Sequence, residues 1–115
     1  MKYALLIYDT PDAWSGLSDQ ESEAVMGEYA AIAQADGVVG GSQLQLPDTA
    51  TTVRVAGHET LLSDGPFVEA KEFFGGYYIA DVEDLDAATA LARRIPAARM
   101  GGAIEIRPIV ERPGS

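Results

Sequence analysis

Two segments of the chain carry apolar residues on both alternating sets of positions. Residues 2–8 show this pattern along their length, and residues 73–82 repeat it in their middle. A strand that is apolar on both faces is usually covered on both sides, because a bare face would expose apolar surface to water. Both segments are therefore predicted to be central strands of a sheet.

Two other segments place apolar residues at helical spacing. The first follows Ser18 and Glu21, which form the S-x-x-E pattern of a capping box, and it ends at Asp36-Gly37. The second follows Asp84, a residue type that caps helix N-termini, and it ends at Pro96. Both are predicted to be helices, and the apolar face of the second comprises Leu85, Ala88, Leu91, Ala92 and Ile95.

Shorter strands account for the remaining apolar stretches. Residues 38–46 and 103–110 are predicted to be strands, and residues 51–55 and 59–63 flank Gly57-His58 as a hairpin. The order β-α-β, hairpin, β-α-β predicts an α+β, ferredoxin-like sheet of split β-α-β units with an inserted hairpin and both helices on one face. The other face is apolar, so a homodimer that covers it is expected.

Composition is typical of a single globular domain. The chain has 115 residues, of which 47% are hydrophobic and 23% charged, so one domain spanning residues 1–115 is expected. Its formal charge of -10 disfavours binding to nucleic acids and to anionic membranes. It has no cysteine, no apolar run of the roughly 20 residues that cross a membrane, and no signal-peptide pattern. A cytoplasmic location is expected.

Several sequence motifs follow one another along almost the whole chain. They are MKYALLIY at 1–8, Trp14, ATTVR at 50–54, SDGPFVEAKE at 63–72, GGYYIADV at 75–82 and IEIRPI at 104–109. Together they resemble the YCII-related, or DGPF-domain, family of small bacterial proteins. The resemblance implies a ferredoxin-like fold that dimerises into an α/β barrel. It implies little about activity, since members are largely uncharacterised and some are associated with extracytoplasmic-function sigma factors.

The same resemblance suggests a catalytic residue. It implies a His-Asp pair in a cleft, with Asp64 matching the aspartate, and a few relatives resemble dehydrochlorinases. The histidine has no counterpart, because the only histidine, His58, lies in a predicted turn and the first helix offers Met26 and Tyr29 instead. Asp64 is therefore the candidate catalytic residue. The alternative is a turn residue whose carboxylate accepts local backbone hydrogen bonds.

Four residues are candidates for binding a substrate. Arg54 lies in an otherwise apolar and Thr-rich strand, where a guanidinium group would clamp an anion. Lys71 and Glu69 lie between two strands, where the rim of a pocket is expected. Tyr78 combines an apolar ring with a polar tip, which suits a ligand cleft. The alternatives are solvent-facing charges for the first three residues and packing for the tyrosine.

Two functions from different classes follow. The preferred one is a cofactor-free enzyme or ligand binder in the dimer cleft, where Asp64 moves a proton during isomerisation or elimination beside the carbonyl of a small anionic ligand. The other is a non-catalytic accessory protein that binds a sigma factor through its acidic surface. No metal or cofactor is expected, because one histidine, no cysteine and scattered carboxylates lack ligand spacing.

Overall fold

The structure is a computed structural model, and it describes residues 1–68 and 71–113. The protein has an α+β architecture. Glu69, one of the candidate binding residues, lies outside the described residues. The elements are β1 (Lys2–Asp9), α1 (Asp19–Ala33), β2 (Val38–Gln43), β3 (Thr51–Ala56), β4 (Glu59–Asp64), β5 (Phe73–Asp81), α2 (Leu85–Ala92) and β6 (Ala103–Pro108).

One four-stranded sheet carries both helices. Its strands lie in the order β2-β5-β1-β6, and all neighbours are antiparallel. Each helix connects two strands that are separated by one other strand, since β5 lies between β1 and β2, and β1 lies between β5 and β6. The two strands predicted to be central, β1 and β5, occupy the middle positions. The hairpin of β3 and β4 around Gly57-His58 forms a second sheet, as predicted.

The capping residues identified in the sequence begin both helices. The Ser18 hydroxyl accepts a hydrogen bond from the Glu21 backbone N–H, and the Glu21 carboxylate accepts one from the Ser18 backbone N–H, each at 3.1 Å. These bonds lower the pKa of the Glu21 carboxyl group. At α2, the Asp84 carboxylate accepts a hydrogen bond of 2.9 Å from the Ala87 N–H. Side-chain acceptors thus satisfy N–H groups that have no partner inside either helix.

The predicted apolar face of α2 is correct except at Leu85. Ala88, Leu91, Ala92 and Ile95 are buried, whereas the Leu85 side chain is 55% exposed. Leu85 is the first residue of α2, and the buried residues of this helix begin one turn later. Helical periodicity therefore gave the correct face but did not show where along the helix the core begins.

The main core lies between the helices and one face of the sheet. It is formed by alternate residues of β1 and β5 together with residues of α1, α2 and the segment after α2, namely Tyr3, Leu5, Ile7, Ile32, Tyr78, Ala80, Ala88, Leu91, Ile95 and Ala97. Burying a large aliphatic or aromatic side chain contributes roughly 1.5–3 kcal/mol relative to leaving it exposed. This cluster therefore fixes the helices on one face of the sheet.

The opposite face of the sheet points away from α1 and α2 and is also apolar. Leu6 and Tyr8 of β1 alternate with the core residues, and Leu6 lies opposite Tyr77 of β5. The ring centroids of Tyr8 and Phe74 are 5.7 Å apart. We call this the open face, defined by Ala4, Leu6, Tyr8, Phe74, Tyr77 and Ile79. All six side chains are partly accessible to solvent in the single chain.

A β-bulge interrupts the pairing of β1 and β5 near the end of β1. Ile7 pairs with Gly76 and Tyr8 pairs with Phe74, so the register skips Gly75. The Gly75 carbonyl oxygen accepts a hydrogen bond of 2.9 Å from the Leu44 N–H, just beyond β2. Bulges change the direction of nearby side chains and occur often beside functional sites. The surroundings of Gly75 are therefore a natural place to search for one.

Candidate functional site

A cavity of about 320 Å³ lies between α1 and the sheet, next to the bulge. We call it the inner cavity. Asp9 from the end of β1 and Trp14 from the following loop line it together with Met26 and Tyr29 of α1. Gly75 and residues of β2 and β5 complete the wall. One carboxylate thus lies among aromatic, thioether and glycine surfaces.

A second and more open cavity of about 770 Å³ adjoins the first, and we call it the outer cavity. The two share the lining residues Asp9, Trp14, Met26, Gln43 and Gly75. The wall of the outer cavity comes from the segments around β2, the DGPF stretch and β5, through Thr10, Pro11, Leu44, Leu46, Pro47, Asp48, Pro66, Val68 and Phe73. The shared residues make the two cavities one continuous candidate site.

Asp9 is placed at this site by the alternation of β1. Tyr3, Leu5 and Ile7 face the helices, and Asp9 is the next residue in that series. Its Oδ2 atom would lie too close to a Cβ atom at position 75, so glycine at the bulge leaves room for the carboxylate. Partial burial raises the pKa of the Asp9 carboxyl group, because desolvation disfavours the charged form.

Aromatic residues surround this carboxylate. The rings of Trp14 and Tyr29 stack with their centroids 6.4 Å apart and an angle of 21° between their planes. Burial, assisted by the negative charge of Asp9, raises the pKa of Tyr29 to about 12. The Tyr78 hydroxyl donates a hydrogen bond of 2.8 Å to the Tyr29 carbonyl oxygen, and burial raises the Tyr78 pKa as well. Both phenols are therefore neutral at physiological pH.

Asp64 lies elsewhere, at the end of β4 in the hairpin. Its side chain is exposed and lines neither cavity. The next residue, Gly65, donates a backbone hydrogen bond of 2.7 Å to the Ala50 carbonyl and accepts one of 2.9 Å from the Thr52 hydroxyl. Gly65 has a φ of 96°, which favours glycine. These two hydrogen bonds continue the pairing of the β3–β4 hairpin one residue beyond Asp64, and a catalytic role for Asp64 stays a prediction.

Of the candidate binding residues that the structure describes, Tyr78 alone lines a cavity. The Arg54 guanidinium carbon lies 4.7 Å from the centroid of the Phe67 ring, and Arg54 lines neither cavity. Lys71 is exposed and also lines neither cavity. Tyr78 is buried and lines the inner cavity, although its hydroxyl already donates to the main chain. Ligand binding by these residues stays a prediction.

Asp9 was not among the candidate residues from the sequence, although its signal was present. It follows a strand of seven mostly apolar residues at the same two-residue spacing as Tyr3, Leu5 and Ile7. A carboxylate that continues the buried series of a central strand is expected to face the covered side of the sheet. The inner cavity is also lined by Met26 and Tyr29 of α1. These are the residues that the first helix offers in place of the histidine implied by the family resemblance.

Metal binding and membrane insertion were considered for the described part of the chain. Within residues 1–68 and 71–113, no three or more His, Cys, Asp or Glu side chains are grouped so that they could hold a metal ion. Neither α1 nor α2 of this part is long and apolar enough to cross a membrane.

Comparison with known proteins identifies the family. The model of the YCII-related domain matches residues 1–112. The chain belongs to the YCII-related family. An uncharacterized protein of Rhizobium meliloti is 36% identical to this YCII-related chain over 114 residues, which are 95% of this chain and 92% of that protein. The resemblance seen in the sequence is thereby confirmed. Because that relative is uncharacterized, a function for this YCII-related protein has to be argued from its geometry.

Proposed function

We propose that the protein is a cofactor-free acid–base enzyme that binds a small organic molecule in the inner cavity, with Asp9 as the base. The observation that supports this is the Asp9 carboxylate, partly desolvated, seated against Gly75 and lining a cavity with aromatic walls. A general base works best when its pKa lies near the operating pH, and desolvation shifts an aspartate in that direction.

The reaction that fits is isomerisation or elimination beside a carbonyl. Asp9 removes a proton from the carbon next to the carbonyl, and the electron pair moves onto the carbonyl oxygen as an enolate. The proton returns from Asp9 to another atom of the ligand, or a leaving group departs from the neighbouring carbon. Trp14 and Gln43 line both cavities and carry neutral N–H donors suited to the developing oxyanion.

Proton exchange tests this proposal without knowledge of the natural substrate. Phenylacetone, phenylacetaldehyde and cyclohexanone are incubated in D₂O with the protein, and loss of their α-proton signals is followed by NMR. The wild type is expected to accelerate exchange above buffer for at least one compound. Asp9→Asn should abolish the acceleration, whereas the matched control Asp64→Asn should retain it.

The other outcomes of this experiment are equally informative. Loss of exchange in Asp64→Asn with retention in Asp9→Asn would assign catalysis to the DGPF turn instead. If neither the wild type nor the variants accelerate α-proton exchange, the enzyme proposal is contradicted. That result would favour the alternative of a non-catalytic accessory protein that binds an extracytoplasmic-function sigma factor through its acidic surface.

We also propose that the fold is the ferredoxin-like one and that two copies pair through the open face into an α/β barrel. The strand order and the placement of each helix support the first part. The open face supports the second, since large uncovered apolar patches are unusual on monomers. The radius of gyration is 16.2 Å, larger than the roughly 13 Å expected of a compact chain of this length.

A second copy suits the open face because its edge is self-complementary. Glu105 lies opposite Leu6 and Arg107 opposite Ala4, so both charges of β6 belong to the open face. A two-fold axis can bring Glu105 of one copy to Arg107 of the other, and the reverse, because the same patch is used twice. Sedimentation analysis is the test. Leu6→Asp should yield a monomer, whereas Val110→Asp, an exposed residue outside the sheet, should not.

A further inference from the structure

The charges that line the two cavities have one sign. Asp9 lines both cavities and Asp48 lines the outer one. Among the lining residues that the structure describes, none is a lysine, arginine or histidine. The chain as a whole carries a formal charge of -10. An anion that enters this site would therefore lose its hydration and meet only repulsive charges.

The cations that the sequence suggested for an anionic ligand are engaged or placed elsewhere. The Arg54 guanidinium group packs over the Phe67 ring, and Lys71 is exposed at the surface. Arg99, which was not a candidate from the sequence, forms an ion pair with Glu28 on the exposed side of α1. None of these three cations lines either cavity. The anion clamp expected from the sequence is thus absent from the described cavity walls.

The remaining walls suit a cation attached to an apolar body. Aromatic faces attract cations, and Trp14 and Phe73 line the outer cavity beside Asp9. Leu46 and Val68, which are 63% and 65% exposed, also line the outer cavity. A ligand that covers them removes apolar surface from water, which favours binding. The site therefore combines an acidic centre with an apolar approach.

We infer that the ligand of this site is an organic cation, a protonated amine or amidine on an elongated apolar body, whose charge pairs with Asp9 while its body lies in the outer cavity. The inference rests on the proposed function, because it names the ligand class of the same site. A bound cation favours the ionised form of Asp9 and so offsets part of the rise in pKa that burial causes.

Three probes of almost identical shape isolate the effect of charge. They are 3-phenylpropionamidine, 3-phenylpropionamide and 3-phenylpropionate, which carry a positive, a neutral and a negative end group. Trp14 is the single tryptophan of the chain and lines both cavities, so its fluorescence reports binding directly. The amidine is expected to bind about 10-fold to 100-fold more tightly than the amide, as charge-assisted hydrogen bonds allow, and the propionate more weakly than either.

Matched variants assign the preference to one carboxylate. Asp9→Asn keeps the side-chain shape and should reduce amidine affinity to about that of the amide. Asp12→Asn removes a nearby exposed carboxylate that lines neither cavity, so it should leave the order of the three probes unchanged. If Asp9→Asn does not fold, Asp48→Asn serves instead. It should reduce the ratio of amidine affinity to amide affinity, but not abolish it.

The outcomes separate this inference from the proposed function. Tightest binding of the propionate would overturn the inference and leave the enzyme proposal intact. Amidine binding that depends on Asp9, without α-proton exchange in any ketone, would support the inference and contradict the enzyme proposal. Unchanged Trp14 fluorescence and an unchanged unfolding midpoint with all three probes would overturn the inference, and the exchange experiment would then decide the enzyme proposal alone.

Discussion

Asp9 and Asp64 have similar local sequences but different surroundings. Each ends a strand, and each is followed two residues later by a proline, as Asp9-Thr10-Pro11 and Asp64-Gly65-Pro66. Asp9 belongs to a central strand with a helix packed on its side of the sheet, so its carboxylate lines two cavities. Asp64 belongs to a two-stranded hairpin whose residues are nearly all exposed. The position of a strand in its sheet therefore decides which carboxylate can be desolvated.

The glycines beside the two aspartates provide the strongest contrast. An alanine Cβ at position 75 would crowd the Asp9 carboxylate oxygen and push it aside, whereas a Cβ at position 65 has open space around it. Gly75→Ala should therefore reduce 3-phenylpropionamidine affinity by about 10-fold, the weaker limit of one charge-assisted hydrogen bond. Its unfolding midpoint should change little, because a flexible side chain can move aside.

Gly65→Ala is the matched control with the opposite pattern. Its φ of 96° strains any residue with a Cβ atom, at a cost of about 1–3 kcal/mol in unfolding free energy. Amidine affinity should stay near the wild-type value. Trp14 titration and urea unfolding measure the two effects separately. Equal loss of binding in both variants would contradict the placement of the cation beside Asp9 and Gly75.

A smaller difference is expected between the losses of stability caused by substitutions at Tyr78 and Arg54. Both residues were candidate binding residues. Tyr78→Phe removes a hydrogen bond to the Tyr29 carbonyl and should lower the free energy of unfolding by about 0.5–1.5 kcal/mol. Arg54→Gln removes the cation above the exposed Phe67 ring, and its effect on stability should be smaller. Urea denaturation compares the variants. A larger loss in Arg54→Gln would show that the hairpin is packed more firmly than its exposure suggests.

The smallest expected effect is a dependence of stability on pH. The ordinary pKa of Asp9 is 3.8 and folding raises it, so between the two values the folded chain holds a proton that the unfolded chain has lost. Stability therefore falls as pH rises through this window. Asp9→Asn removes that loss. The free energy of unfolding of the variant minus that of the wild type should therefore be larger at neutral pH than at low pH. Asp64→Asn serves as the control, and urea unfolding across the range measures both.

The fold could be predicted largely because its signals are local. Ser18 and Asp84 each bond to backbone N–H groups within one helical turn, so their patterns do not depend on distant contacts. The chain turns at Gly57-His58 for a similar reason. The lengths of strands were less certain. Residues 38–46 were predicted as one strand, but β2 ends at Gln43, and a 3₁₀ turn follows at Pro47–Thr49.

The candidate site was harder to predict because it depends on contacts between distant segments. Asp9 meets Gly75 only because β1 pairs with β5, and Trp14 meets Tyr29 only because the loop after β1 folds back on α1. The DGPF pattern made Asp64 the candidate catalytic residue, but Asp64 lines neither cavity. The two-residue alternation of β1 identifies Asp9 only when it is extended one position past the apolar residues.

The division of the site between paired strands and loops has an evolutionary consequence. Asp9 and Gly75 belong to strands, whereas much of the outer cavity comes from residues that lie outside the four-stranded sheet, namely Thr10, Pro11, Leu44, Leu46, Pro47, Asp48, Pro66 and Val68. Mutations in those loops can change which molecules enter without disturbing the pairing of β1 with β5. A lineage of such proteins can therefore change the entrance by drift while it inherits the same partly buried carboxylate.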